Sequence, residues 1–318
     1  MDANYTQNAK LQSVLAELEV ERKKVLSANT QGYGAIILGI VLIVALAVMG
    51  LLVAGMVTGL AAIIFGGVIL FRISDAATDY KNRFKMDVVG ALLSNVDQSL
   101  TIQPNRGIAE GEFRQSQLFT TDPDRYSTED LISGKIGKTS IYFAEVHAEY
   151  KTETQGKNGR QEHWHDILKG IVFVADFNKN FNGVTAIRPK DFGSSIGAWF
   201  AKNIYSFGDK NIVDLENDVF NKSFVTYSTD QIEARYILTP ALMDRLCELN
   251  QRAAYAISVS FVNSNMYIAF PLAKNYFEAP LFKSLLNADA LNEDLSVLHF
   301  MYAIVQELDL NTRIWTKQ

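Results

Sequence analysis

The stretch that decides the architecture runs from Gly32 to Phe71, GYGAIILGIVLIVALAVMGLLVAGMVTGLAAIIFGGVILF, with no Asp, Glu, Lys, Arg or His anywhere in it. A helix rises about 1.5 Å per residue and a bilayer's hydrocarbon core is about 30 Å thick, so about 20 residues make one crossing and this run suffices for two. Helices close their own backbone hydrogen bonds, which lipid requires. Spans are therefore predicted at residues 33–51 and 55–73, turning around 52–55, where glycine relaxes the steric limits on a tight turn. The Gly55 and Gly59 pair is read as turn glycines in preference to a GxxxG helix contact. A secretory signal has an apolar region of only about 7–15 residues, so the hairpin is expected to be retained.

Basic residues flank the run, with Arg22, Lys23 and Lys24 before it and Arg72, Lys81, Arg83 and Lys85 after it, while the predicted tip has none. The positive-inside rule then puts both termini in the cytoplasm, in a two-span protein whose first partner is the lipid bilayer. The domains expected are a cytoplasmic amphipathic helix (1–31), a transmembrane helical hairpin (32–73) and a cytoplasmic α+β domain (74–318). In the leader, residues 6–29, Leu11, Val14, Leu18 and Val25 follow a/d spacing broken by Glu21, too short a seam for an isolated coiled coil. Glu19 and Lys23 form an i,i+4 pair, read as a solvated face. Beyond the second span, residues 75–96 continue as helix with Phe84, Val88, Leu92 and Leu93 on one side.

The chain carries 30 Lys+Arg against 35 Asp+Glu, a balance that argues against a nucleic-acid partner. One cysteine, Cys247, excludes an internal disulfide framework and suits a reducing compartment. It shares the apolar side of its helix with Leu242, Met243, Leu246 and Leu249, the setting of a packing residue.

Residues 140–151 alternate: Tyr142, Ala144, Val146, Ala148 and Tyr150 on one face, Glu145, His147, Glu149 and Lys151 on the other, the pattern of a half-buried strand. A polar loop is expected at 152–160. The following run at 164–177, with Ile171, Val172, Phe173, Val174 and Ala175, suits a central strand paired antiparallel to the first. A second hairpin is predicted from 256–262 and 266–271 through Asn263, Ser264 and Asn265. Helices are expected at 193–206, 239–252 and 292–308, the second with a Thr239 cap before Pro240. Mixed strands and helices of this kind make an α+β fold whose mainly antiparallel sheet is packed by helices.

Three strings resemble chemical motifs. Gly134-Lys135-Ile136-Gly137-Lys138-Thr139 suggests a phosphate loop, but Ile132 stands where the first glycine belongs and a strand pattern follows, so it reads as a basic turn. Asp176 to Asn180 opens like a calcium loop, but Phe181 replaces the obligatory glycine and Ile187 the closing glutamate. His147, His163 and His165, with Glu145 and Glu149, would make a transition-metal set if a hairpin gathered them. Against this, an exposed histidine on a polar strand face needs no ion, and no compact ligand spacing is present. No catalytic residue, cofactor or metal ligand is assigned.

Several longer blocks carry a family resemblance: Gly107 to Phe113, Leu118-Phe119, Pro123 to Ile132, Phe173 to Lys179, Asp230 to Pro240 and Leu310 to Trp315. Over residues 81–317 the chain resembles an uncharacterised bacterial membrane-anchored family known only as a domain of unknown function. That resemblance implies bacterial origin, hence the inner membrane, and a membrane-protein partner of the LemA type; it brings no reaction or catalytic residue. The function expected is a membrane-anchored binding or scaffolding protein on the cytoplasmic side. The alternatives are a membrane-associated enzyme acting on lipid or peptide through residues such as Asp130, Asp176, Glu233 and Arg235, and an oligomeric channel or transporter component. The last is disfavoured by spans without ionisable residues.

Overall fold

The computed structural model describes residues 9–156, 159–177, 179–190, 211–287, 289–308 and 310. Among them the fold is α+β, with two long apolar N-terminal helices and one eight-stranded antiparallel sheet packed by helices. Two compact units divide the chain: Met1–Leu92 with Phe277–Leu295, and Leu93–Tyr276 with Ser296–Gln318.

The first unit is built on helix α1 (Ala9–Val48) and helix α2 (Leu52–Arg83), 40 and 32 residues long. At about 1.5 Å per residue these measure about 60 and 48 Å, so both exceed the thickness of a bilayer core. Both are long and apolar enough to cross a membrane. The turn between them falls at Met49–Leu51, earlier than expected, because Gly50 takes the left-handed φ of 78° that a reversal here requires.

Gly55 and Gly59 therefore lie inside α2, and the turn reading of them is corrected. A methyl group on Gly59 would stand 2.5 Å from the Gly39 carbonyl oxygen, and one on Gly66 would stand 2.5 Å from that of Gly32. Glycine faces glycine twice, seven residues apart on each helix, so the two backbones touch. Such close approach is how apolar helices associate where the solvent gives no hydrophobic push between them. The outward faces keep large apolar side chains exposed, among them Ile37, Val41, Phe65 and Phe71. Gly59→Leu, whose side chain would meet the Gly39 carbonyl and Ile43, should force the helices apart and make the helix content of the detergent-solubilised chain more easily lost in an SDS titration followed by circular dichroism.

Below the apolar run the helices bury Leu11, Leu15, Leu18 and Val25 of α1 and Tyr80 of α2. A π-helical turn, Phe84–Val89, follows α2 and buries Phe84, Val88 and Val89 before helix α3 (Gly90–Val96) resumes regular winding. The segment entering from Phe277 is tied to these helices by backbone and side-chain bonds. The Tyr80 hydroxyl donates to the Pro280 carbonyl at 2.7 Å, the Arg22 guanidinium to that of Leu281 at 2.6 Å, and Lys85 pairs with Glu278 at 2.9 Å.

Glu19 is the centre of this arrangement. Only 4% exposed, it accepts from Arg22 Nε and Nη2 at 2.9 and 2.8 Å and from the Leu285 N–H at 3.0 Å. Lys23 does approach, at 3.7 Å, but the carboxylate belongs to the interior and not to a solvated face. The bidentate hydrogen bond from Arg22 holds the Glu19 carboxyl at about 2, against an ordinary value of 4.5, in spite of burial, which acts the other way. A depressed carboxyl stabilises the fold above its ordinary range, so this contribution should be whole above about pH 5 and lost as pH falls toward 2. Glu19→Ala, which strands a buried guanidinium, should cost about 3–5 kcal/mol in a urea titration of the detergent-solubilised chain.

The second unit carries the sheet, in the order β1-β2-β3-β4-β8-β7-β5-β6 with every pair antiparallel. Here β1 is Thr101–Gln103, β2 Arg125–Ile136, β3 Thr139–Gly156, β4 Gly159–Asp176, β5 Thr185–Pro189, β6 Phe224–Ser228, β7 Ser258–Val262 and β8 Asn265–Pro271. Its helices are α4 (Glu110–Gln115), α5 (Asp218–Ser223), α6 (Gln231–Ile237) and α7 (Pro240–Arg252), while α8 (Asp289–Glu307) contributes its residues from Ser296 onward.

The string Gly134–Thr139 is the β2–β3 turn, with Gly137 at φ 61°. Within the predicted polar loop at 152–160, residues 152–156 and 159–160 are strand instead: Thr152 faces His163 and Gln155 faces Arg160. Its residues are polar on both faces because this end of the hairpin extends past the ends of β2 and β8 pairing, where no core imposes a two-residue pattern. One face of the sheet sets Ala144, Val146, Ala148, Leu168, Val172 and Val174 against Ile108, Phe113, Leu118 and Phe119. On the other face Phe143 stacks on Phe173, and Phe270 meets Phe300 of α8 edge to face.

Thr239 caps α7 through the Leu242 N–H at 3.3 Å with Pro240 in the first turn, and Cys247 is buried among the leucines as expected. The predicted second hairpin is present, but its turn is only Asn263 and Ser264, since Asn265 already pairs with Val262. The helix expected at 193–206 lies outside the described residues.

Candidate functional site

Alternation along β3 puts Glu145, His147 and Glu149 on the face opposite Ala144, Val146 and Ala148. Register supplies their neighbours: Glu129 of β2 stands opposite Glu145, Ser127 and Lys169 flank His147, and Arg125 and Asp166 flank Glu149. Ser127, Glu129, Glu145, His147, Lys169 and Lys274, among others, line a cleft of about 310 Å³, while Arg125, Glu149 and Asp166 follow along the same strands outside its lining. Glu145, one of its lining residues, is buried and accepts the Tyr276 N–H at 2.6 Å. His147 Nε2 lies 2.8 Å from Asp166 Oδ1. The Arg125 guanidinium is stacked 3.4 Å over the Trp164 ring beside them.

Two carboxylates directly opposite each other on adjacent strands repel, and Lys169 and Lys274 bring compensating positive charge to the same cleft. The arrangement suits a ligand carrying both charges or an anion held by the two lysines, and it places titratable groups of both signs within reach of one small molecule.

The structure separates the three histidines. A bulge in β4 pairs Ala148 with Leu168 but Glu149 with Asp166, so Ile167 is the extra residue and turns into the core. Before the bulge, His163 and His165 share the face of Tyr150 and bond to Thr154 and Thr152; beyond it, the odd-numbered positions of β4 share the face of His147. The three-histidine metal set is thereby ruled out by strand geometry.

Asp130, Asp176, Glu233 and Arg235 are not brought to one place. Asp130 sits buried at φ 57° in the β2 bulge, its N–H donating to the Pro104 carbonyl at 3.0 Å. Asp176 ends β4 opposite Asn265. Glu233 receives the N–H groups of Asn182 and Gly183 at 3.0 and 2.9 Å and an ion pair from Lys179 at 3.5 Å. Arg235 donates to the Asp214 and Gln231 carbonyls. In the calcium-like string, Phe181 packs on Phe177 and Phe261, and Asn178 lies outside the described residues.

What sequence reading missed is the partnership of Glu129, Lys169 and Lys274 with the visible Glu145-x-His147-x-Glu149 alternation. The three come from β2, β4 and the segment after β8, and only strand order brings them together.

Residues 166–310 match the model of a family described as a protein of unknown function, DUF3137, in keeping with the resemblance to an uncharacterised family. No curated protein matches the chain. A solved structure, the crystal structure of the mycobacterial trehalose monomycolate transport factor A, is 10% identical over 68% of this chain and 92% of its own, with a TM-score of 0.36, too low to carry an argument about fold or role.

Glu233→Ala would leave the Asn182 and Gly183 amides without their acceptor, at an expected cost of about 2 kcal/mol by denaturant titration, with Glu233→Gln recovering part of it.

Proposed function

We propose that this chain is a membrane-anchored binding protein whose sheet unit holds its partner on the cytoplasmic side of a bacterial inner membrane. The observation that carries this reading is the apolar surface of α1 and α2, on which large side chains between Tyr33 and Phe71, among them Ile37, Val41, Val57 and Phe65, are exposed among the described residues. Water tolerates a contiguous apolar patch of a few hundred Å² on a soluble protein, and a helical hairpin about two bilayer crossings long exceeds that. The basic residues on both flanks and their absence at Met49–Leu51 support an orientation with both ends inside.

Anchoring confines the sheet unit to partners at the same surface, and the family resemblance favours a membrane protein of the LemA type. The charged cleft, with its mixed lysines and carboxylates, supplies a polar contact surface for such a partner. The catalytic alternative draws no support from Asp130, Asp176, Glu233 and Arg235, which are dispersed and held in other contacts.

In a Cys247→Ser chain carrying single cysteines at Gln12, Val53 or Gln161, an impermeant maleimide should label only Val53 in intact cells and all three after permeabilisation. Labelling at Gln161 from outside would sink the cytoplasmic placement. A photoreactive residue at Ser127 should crosslink reproducibly to one membrane protein in native membranes, and recovery of no partner would count against the binding role.

A further inference from the structure

His147, Glu149 and Asp166 each present one ligand atom, and all three atoms lie within 4.8 Å of one another. Donors held about 2.0–2.2 Å from a divalent transition metal sit roughly 3–4 Å apart, so small side-chain rotations would complete the triad. The His147 to Asp166 separation is already 2.8 Å.

A second observation is independent of these distances. With regular register Ile167 would stand opposite Glu149; the bulge removes it from that face and substitutes the Asp166 carboxylate. Bulges re-aim single side chains in this way, and they gather at functional sites. The three residues also sit on paired strands, which hold donors more rigidly than a loop does. Arg125 lies 4.0 Å from Glu149, but its guanidinium is anchored on Trp164 and leaves the carboxylate one oxygen away from that contact.

We propose that His147 Nε2, Glu149 and Asp166 bind a divalent transition-metal ion, of the zinc, cobalt or manganese class, beside the cleft that His147 also lines. One imidazole with two carboxylates suits metals of intermediate hardness and leaves at least one coordination position for an outside ligand. Because His147 also lines the cleft, with Lys169 beside it, an anion is the ligand chemistry favoured there. This inference does not depend on the membrane reading.

The test uses the full chain in detergent, purified without a histidine tag, freed of metal and titrated calorimetrically with zinc chloride and manganese chloride. One ion per chain is expected, with His147→Ala and Asp166→Asn each weakening it at least about tenfold. The His163→Ala/His165→Ala variant, altered on the opposite face, should bind as the unaltered chain does. Should His147→Ala fail to fold by circular dichroism, Glu149→Gln, which preserves size, reads the same site. The proposal is overturned if the unaltered chain takes up no ion, if the triad variants bind unchanged, or if the opposite-face variant loses binding.

Discussion

Pairing of β3 with β4 is the constraint from which the sheet unit is built. These are its two longest strands, and each of the other pairings extends outward from one of them: β2 and β1 from β3, then β8, β7, β5 and β6 from β4. Because side chains alternate with a period of two, a single extra residue exchanges the faces of everything beyond it. The bulge at Ile167 is that residue. It keeps Leu168, Val172 and Val174 in the core and lets polar side chains dominate the opposite face around His147. A straight β4 in the same register beyond the bulge would bring Ile167 to the charged face and take Asp166 away from it.

The helical unit obeys a different economy. Its apolar stretch is held by backbone proximity, glycine against glycine, while its basal part is held by a buried ion pair with a full set of hydrogen-bond partners. A buried charge pair is tolerable when desolvation is offset by good geometry and by bonds to the remaining lone pairs, and Glu19 satisfies both conditions. The pair gives the segment from Phe277 a defined seat, since it takes hold of the Leu281 carbonyl and the Leu285 N–H, while the Leu285 side chain is itself buried.

Much of this was legible beforehand, for identifiable reasons. The apolar run needed only counting, the Thr239-Pro240 cap is a local signal, and the Tyr142 to Lys151 alternation reports a strand, although Glu145 on its polar face is buried as well. Features set by distant chain were hidden. Gly59 reads as a turn glycine and Gly39 carries no signal until the two helices are set face to face. Glu19 looks solvated because the bond from Leu285 comes from the far end of the sequence. Residues 152–160 read as loop because strands beyond a core carry no hydrophobic period, and the bulge leaves no compositional mark at all. The candidate site fared likewise: one strand's worth of it was visible and the contributions of Glu129, Lys169, Asp166 and Lys274 were not.

The contact between Glu19 and the Leu285 amide spans 266 positions of sequence, and that between Arg22 and the Leu281 carbonyl spans 259. Translation at about 5–20 residues per second makes the second half of each contact appear on the order of 10–50 s after the first. Throughout that interval the hairpin can leave the ribosome and settle, but its base lacks the strap that closes it. Closure of the helical unit's base is thus set by the end of synthesis: chains interrupted before residue 281 would carry both long helices without the Leu281 and Leu285 backbone groups that seat on Arg22 and Glu19.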